Sequence, residues 1–278
     1  MDLGFLAWNL LNGGLDGLDD RRLRGQAEVI RSEQPDIVGL SECTNWLRDE
    51  KRALGLFLDL TGLSVAGIEP SRAGDGANTT ALLYNARTVE LIRSERREDH
   101  LFHHALIRGL FRPLGATTDD DRFDAYATHL VHSDGDSRLI EARRFTDPAG
   151  PFPGRPGRAA VLGDFNCPDP SDPEPIWGTD VPSNMWARYR TVNPDGTFGP
   201  TDLRAINVLT QSGWRNPQSL VQPPRQATVG YWYENEPTPL HLDHVLVAGM
   251  EPDAYYTIAN PHVDGLSDHR PTVLHVHW

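Results

Sequence analysis

The sequence predicts an α/β sandwich in which two packed sheets carry helices on their outer faces. Many short stretches rich in β-branched and aromatic residues are separated by turn residues, and only a few amphipathic segments of helical period lie among them. Nothing repeats internally and no tract is of low complexity, so residues 1–278 read as a single domain.

Residues 3–9 (LGFLAWN) form the first buried strand. Asp19 and Asp20 are N-cap candidates for a helix that sets Leu23, Ala27 and Ile30 at i, i+4 and i+7 and stops before Pro35. The run DIVGLSE at 36–42 is a second buried strand, and a helix follows over 46–60. Strands are expected over 63–68, 78–85, 88–95, 101–112 and 122–130, then a helix over 136–146 and a strand ending at Gly163. A helix over 201–212 precedes strands over 242–247, 254–259 and 271–277. Prolines crowd between Pro148 and Pro182, but the strand inside that tract makes it surface loops of one domain rather than a linker.

The formal net charge of −13 is the wrong sign for a protein that coats nucleic acid through bulk charge. It does not exclude a polyanion that meets an acidic cleft through divalent cations. Two cysteines, Cys43 and Cys167, are too few and too far apart for a disulfide framework or a paired-cysteine zinc site; each reads as a small buried filler. The N-terminus MDLGFLAWNLLNGG has no basic segment ahead of a long apolar one, and no stretch approaches a membrane span. These features lead us to expect a cytoplasmic monomer with no membrane partner.

Six places put a metal-binding or proton-transferring side chain at a strand end: Trp8-Asn9, Ser41-Glu42, Thr128-His129-Leu130, GDFN at 163–166, Leu242-Asp243-His244 and Ser267-Asp268-His269. Side chains alternate in extended backbone, so Asp164 and Asn166 share a direction while Phe165 points back, toward the core between the sheets. Each place alone has an ordinary reading as a turn, a cap or a core histidine. As a set they make chemical sense. Oxygen ligands of mixed charge suit Mg²⁺ or Mn²⁺, and histidines beside a spare aspartate can move protons near neutral pH. These are the parts needed to hydrolyse a phosphate ester by in-line attack of water. A zinc site from His241, His244 and His262 matches no common zinc spacing.

The series WN…SE…THL…GDFN…DH…SDHRP resembles the endonuclease/exonuclease/phosphatase (DNase I-like) superfamily, with its motifs in family order from Asn9 to His269. The resemblance implies a four-layer α/β/β/α sandwich with two packed, mainly antiparallel sheets. It implies that Glu42 is the main metal ligand with Asn9 beside it, and that Asp268 is a second carboxylate at or near the metal, Mg²⁺ or Mn²⁺. On the same grounds Asp164 positions or deprotonates the attacking water and Asn166 holds the scissile phosphate. His269 contacts the phosphate and is oriented by Asp243, and His129 hydrogen-bonds the phosphate or protonates the leaving group. Two departures stand out. Ser41 precedes Glu42 where many members have glutamine, and His129 stands where abasic-site endonucleases carry tyrosine, which argues against that repair activity.

The implied activity is cleavage of a phosphodiester in a nucleic acid or nucleotide, with hydrolysis of a soluble phosphomonoester as the alternative. Asn12 either lines the cleft or only forms a turn. Trp186 and Arg188, with Trp177 and Tyr189, and the second group Tyr231, Trp232 and Tyr233, either stack on substrate bases or pack the long loops onto the sandwich.

Overall fold

Strand β1 (Asp2–Asn9) is buried on both faces along nearly its whole length, which is why its sequence is continuously apolar instead of alternating. It pairs in parallel with β2 (Ile37–Ser41) and antiparallel with β13 (Thr272–His277). The computed structural model describes residues 2–72, 74–96, 101–150 and 152–277. With β3 (Ser64–Pro70), β4 (Thr79–Tyr84) and β12 (Glu251–Thr257), these strands make a six-stranded sheet of order β12-β13-β1-β2-β4-β3. The second sheet has five strands in the order β11-β8-β7-β6-β5. They are β5 (Val89–Arg96), β6 (Leu106–Pro113), β7 (Phe123–His129), β8 (Ala159–Asp164) and β11 (Asp243–Ala248). Each sheet contains one parallel pair, β1/β2 and β7/β8, and every other pairing in it is antiparallel.

Alternation sorts the side chains into three apolar layers. Leu3, Phe5 and Ala7 of β1 meet Ala125 and Ala127 of β7, Ala160 and Leu162 of β8, and Val245 and Val247 of β11 between the sheets. Leu6 and Trp8 face the other way. They pack with Leu23, Ala27 and Ile30 of helix α1 (Arg21–Glu33) and Phe57 of α2 (Arg52–Thr61). On the far side Ala159 and Val161 pack under Ala142 of α3 (Gly135–Ala142). A four-residue turn of helix, α4 (Trp186–Tyr189), precedes α5 (Arg204–Gln211), whose Ile206 and Leu209 complete that layer. The result is the four-layer α/β/β/α sandwich.

Several boundaries differ from expectation for identifiable reasons. Helix α2 starts at Arg52 and not at 46, because the indole of Trp46 is drawn inward to donate to Gly13 O and to pack on Phe57. Asn45, Asp49, Glu50 and Lys51 then take left-handed backbone angles that no helix contains. Strand β6 starts at Leu106 and not at 101, since the His103 N–H is spent on the Glu141 carboxylate and the His103 carbonyl on Arg72 N–H. A small hairpin, β9 (Arg190–Val192) with β10 (Phe198–Thr201), went unrecognised because its strands are too short to show a period. Phe165 also differs: it lies in the outer layer with Phe145 and His244, not between the sheets.

Gly163, the penultimate residue of β8 and the first of the GDFN motif, has φ 146° and a hypothetical Cβ 1.8 Å from the Thr128 carbonyl oxygen of β7. Gly163→Ala is therefore expected to cost roughly 3 kcal/mol in denaturant unfolding. Gly157→Ala, where nothing lies within 4 Å of the added carbon, should be nearly neutral.

Candidate active site

The residue parity that builds the inter-sheet core also builds the site. Continuing past the apolar residues of each strand, the inward column of β1 ends in Asn9, that of β7 in His129 and that of β8 in Asp164, while that of β11 begins with Asp243. Register places them level: His129 is paired with Asp164, and Asp164 with Asp243. All four are at least 97 % buried at one end of the sandwich, so each polar atom needs a partner.

The partners are mostly one another. Asn9 Nδ2 donates to Asp164 Oδ2 at 3.0 Å and to Glu42 Oε1 at 3.3 Å. The Asn166 backbone N–H caps Asp164 Oδ1 at 2.8 Å, and Asn166 Nδ2 donates to the Leu130 carbonyl. His269 Nδ1 meets Asp243 Oδ2 at 2.7 Å, and its Nε2 lies 3.8 Å from Asp164 Oδ2. The loop carrying Asp268 and His269 is fastened to β1 from two sides. Trp8 Nε1 donates to the His269 carbonyl at 2.7 Å, and the Ser267 hydroxyl to the Asn9 carbonyl at 2.7 Å.

These contacts set the protonation states. Burial, reinforced by the Asp243 charge, pushes Asp164 up to about 7 against the lowering pull of His269. Burial alone would lower His269, but the Asp243 and Asp164 carboxylates outweigh it and raise the imidazole well above its ordinary value. His129 is the reverse case, held well below the usual histidine range by burial and by the histidines around it. The site thus combines an imidazole that favours its cation, an imidazole that favours its neutral form, and a carboxylate poised near neutrality between them.

Asn9, Glu42, His129, Asp164, Asn166, Arg188, Asp268 and His269 line one cleft of about 380 Å³. Asp243 stands behind His269. Glu42 and Asp268 are half-buried and neither forms an ion pair among the described residues, whereas the His269 imidazole accompanies both Asp164 and Asp243. Glu42 also holds a left-handed backbone angle, φ 55°, which turns it out of strand geometry into the cleft. Two uncompensated carboxylates beside neutral amides form a donor set that fits a hard divalent cation. Asp164, Asp243 and His269 also bring ligand atoms within 4.8 Å of one another. Those atoms already neutralise each other, so Glu42 and Asp268 are the better match. Asn9 takes a different posture from the ligand role expected of it: its Oδ1 accepts Leu11 N–H, and its nitrogen faces the carboxylates.

Two expected substrate contacts fall outside the cleft. Asn12 contributes its backbone N–H to Glu42 Oε2 at 3.3 Å, while its side chain stays exposed at a left-handed turn. Trp186 donates its indole N–H to Val181 O and lies under the Arg190 guanidinium, which also covers Trp177. That aromatic group packs the 174–201 loop onto itself. Arg188 does reach the cleft, 3.6 Å from Glu236. Buried Arg138 of α3 donates to the carbonyls of Val131, His132 and Arg188, which ties this wall to the end of β7. The histidines weighed for zinc do not converge: His241 pairs with Asp172, His244 donates to the Cys167 carbonyl, and His262 is exposed.

The second aromatic group supplies the opposite wall. Trp232 and Tyr233 line the cleft, and burial together with the nearby Asp268 charge raises the Tyr233 phenol above its ordinary value. Their loop is pinched at Gly230, φ 94°, where a Cβ would meet Thr238 O at 2.4 Å. It is moored by Tyr231, whose hydroxyl donates to Ser267 O at 2.6 Å under the Arg270 guanidinium. The sequence reading left these aromatics undecided, and it missed His104 and Asn78, which also line the cleft. Their signal is tertiary, since none sits in a motif.

The fold and this constellation define a family. The chain belongs to the endonuclease/exonuclease/phosphatase family, whose sequence model matches residues 6–269. Among solved structures it is similar to an endonuclease/exonuclease/phosphatase from Bacteroides vulgatus, at 15 % identity and TM-score 0.69 over 100 % of this chain and 99 % of that one. It is also similar to a mannosyl-6-phosphatase of Bacteroides thetaiotaomicron, at 15 % identity and TM-score 0.66 over 99 % and 100 %. The human Nocturnin catalytic domain with bound sulfate matches at 15 % identity and TM-score 0.61 over 99 % and 94 %. No curated protein sequence matches the chain.

His244, beside Asp243, gives a pH prediction. Burial, with Arg225 nearby, lowers it to about 4 from an ordinary 6.5. The unfolded chain takes up that proton first, so this residue withdraws stability as pH falls from 6.5 toward 4, by roughly 2 kcal/mol at pH 5. The drop in unfolding free energy between pH 8 and pH 5 should be smaller in His244→Phe than in the wild type by about that amount.

Proposed function

We propose that the protein is a divalent-metal-dependent phosphoesterase that cleaves a phosphodiester of a nucleotide or nucleic acid by in-line attack of water. The observation that carries this reading is the meeting, in one cleft, of the Asp164–His269–Asp243 array with the two unpaired carboxylates Glu42 and Asp268. Glu42 and Asp268 would hold Mg²⁺ or Mn²⁺, which supplies Lewis acidity to the phosphoryl oxygens. Asp164, poised near neutrality, accepts the proton of the attacking water, with Asn9 fixing its second oxygen. His269, held cationic by Asp243, stabilises charge on the phosphoryl group. Asn166 donates its remaining amide N–H to the phosphate, and His129 donates a hydrogen bond from the facing side. Trp232 and Tyr233 offer a stacking face for a base beside Arg188, an interaction worth about 1–3 kcal/mol per base. In this reading residues 1–278 act as one catalytic unit. Among the described residues no helix is long and apolar enough to cross a membrane.

A specific observation favours a second reading, a phosphatase of a soluble phosphomonoester. Arg188 is the sole lysine or arginine lining the cleft among the described residues, and Glu236 partly offsets it. With a net charge of −13, that is little for a long polyanion.

One panel separates the readings: purified protein with Mg²⁺, Mn²⁺ or EDTA against plasmid DNA, RNA, bis-p-nitrophenyl phosphate and a set of phosphomonoesters. Metal-dependent diester cleavage, reduced at least about a hundredfold in Asp164→Ala and in Glu42→Ala, is the expected outcome. Phosphate release from monoesters with diesters intact would select the second reading. An activity indifferent to EDTA and to both substitutions would remove this cleft from consideration.

A further inference from the structure

The two catalytic imidazoles are oriented by different means. His269 has the usual device, a carboxylate on its rear nitrogen. His129 has none: its Nδ1 is buried without a hydrogen-bond partner. What it has is His104, whose ring lies 3.8 Å away between centroids and parallel to within 1°. His104 is itself clamped. Its Nδ1 is 2.6 Å from the Ser71 hydroxyl, Ser71 N–H is bonded to Asn78 O, and the His103 ring packs against it at 4.7 Å, edge to face. The segment that carries it is fixed by His103 N–H on buried Glu141 and by Arg72 N–H on His103 O.

We propose that His104 is a positioning residue for the phosphoesterase reaction: its ring stacks on His129 and fixes the plane in which His129 Nε2 is presented to Asp164 and the substrate. The inference rests on the phosphoesterase reading of the cleft. His129 Nε2 lies 3.6 Å from Asp164 Oδ2, so the proton belongs on Nε2, leaving only a lone pair on the buried Nδ1. A stack tolerates two neutral rings and opposes two cations. The fold supplies neutrality, since burial pushes His104 down to about 3. An imidazole with no partner on Nδ1 is otherwise free to rotate and to exchange tautomers, and a small misplacement of a catalytic group is costly in rate. The stack thus does for His129 what Asp243 does for His269, through shape instead of charge.

The test takes the substrate turned over best in the panel above and compares wild type, His104→Phe and His104→Ala, with nitrogen-15 NMR of the His129 ring. His104→Ala should lower kcat by about tenfold or more while KM changes less than about twofold, whereas His104→Phe, which keeps a stacking ring, should stay within about threefold of wild type. The ring nitrogens of His129 should report one tautomer in wild type and in His104→Phe, and an averaged pair in His104→Ala. A folded His104→Ala with wild-type kcat overturns the proposal, and so does a loss in His104→Phe equal to that in His104→Ala. If His104→Ala does not fold, an averaged tautomer signal in wild type or in His104→Phe overturns it. A wild type with no activity on any ester is a failure of the phosphoesterase reading instead, and the tautomer measurement then decides the stacking claim by itself.

Discussion

Everything at the functional end of this molecule depends on strand alternation being carried past the point where the core stops being apolar. The inward faces of β1, β7, β8 and β11 are filled by Leu3, Phe5, Ala7, Ala125, Ala127, Ala160, Leu162, Val245 and Val247, and the next residue in each column is polar. Since His129, Asp164 and Asp243 are level in the ladder, their side chains emerge side by side, with His129 Nε2 3.6 Å from Asp164 Oδ2, without any loop having to deliver them. Strands β7, β8 and β11 therefore carry His129, Asp164 and Asp243, while Glu42, Asn166, Asp268 and His269 stand on the segments that flank strands.

The way charge is balanced distinguishes site from scaffold. In the scaffold buried Asp124 is neutralised outright, receiving two hydrogen bonds from Arg108 at 2.8 and 2.9 Å. At the strand ends the compensation is partial: the His269 imidazole lies beside Asp164 and Asp243, whereas Glu42 and Asp268 receive hydrogen bonds from neutral groups alone, the Asn9 amide and Asn12 N–H on Glu42 and the Ser267 hydroxyl on Asp268. A fold that invested only in stability would have no reason to leave that deficit, because unpaired acids near a low-dielectric core are costly.

Much of this was legible in the sequence, and the limits are physical. The sandwich was readable because its strands are buried on both faces and so appear as apolar runs. The six strand-end motifs were readable because chemistry requires fixed residue types there. The beginning of α2 was not, since the core takes Trp46 out of an otherwise helical pattern. Nor was the true setting of Phe165: alternation gave its direction relative to Asp164 but not which side of the sheet faces the partner sheet. Trp186 and Trp232 look alike in sequence, each an aromatic within three residues of another in a polar loop. Only the tertiary placement of Arg190 over Trp186 and of Tyr233 against Asp268 separates packing from cleft. His104 was invisible for the same reason, as its partner lies 25 residues ahead and touches it only through ring faces.

Arg138 has a consequence for how such a cleft can be refitted. The guanidinium holds the end of β7 and the wall bearing Arg188 together, yet among the described residues its hydrogen bonds go to main-chain carbonyls, those of Val131, His132 and Arg188. The link is therefore blind to which side chains those positions carry. Residues facing the substrate along this wall can be exchanged while the wall keeps its berth, so recognition can be rewritten one side chain at a time without moving the machinery it serves.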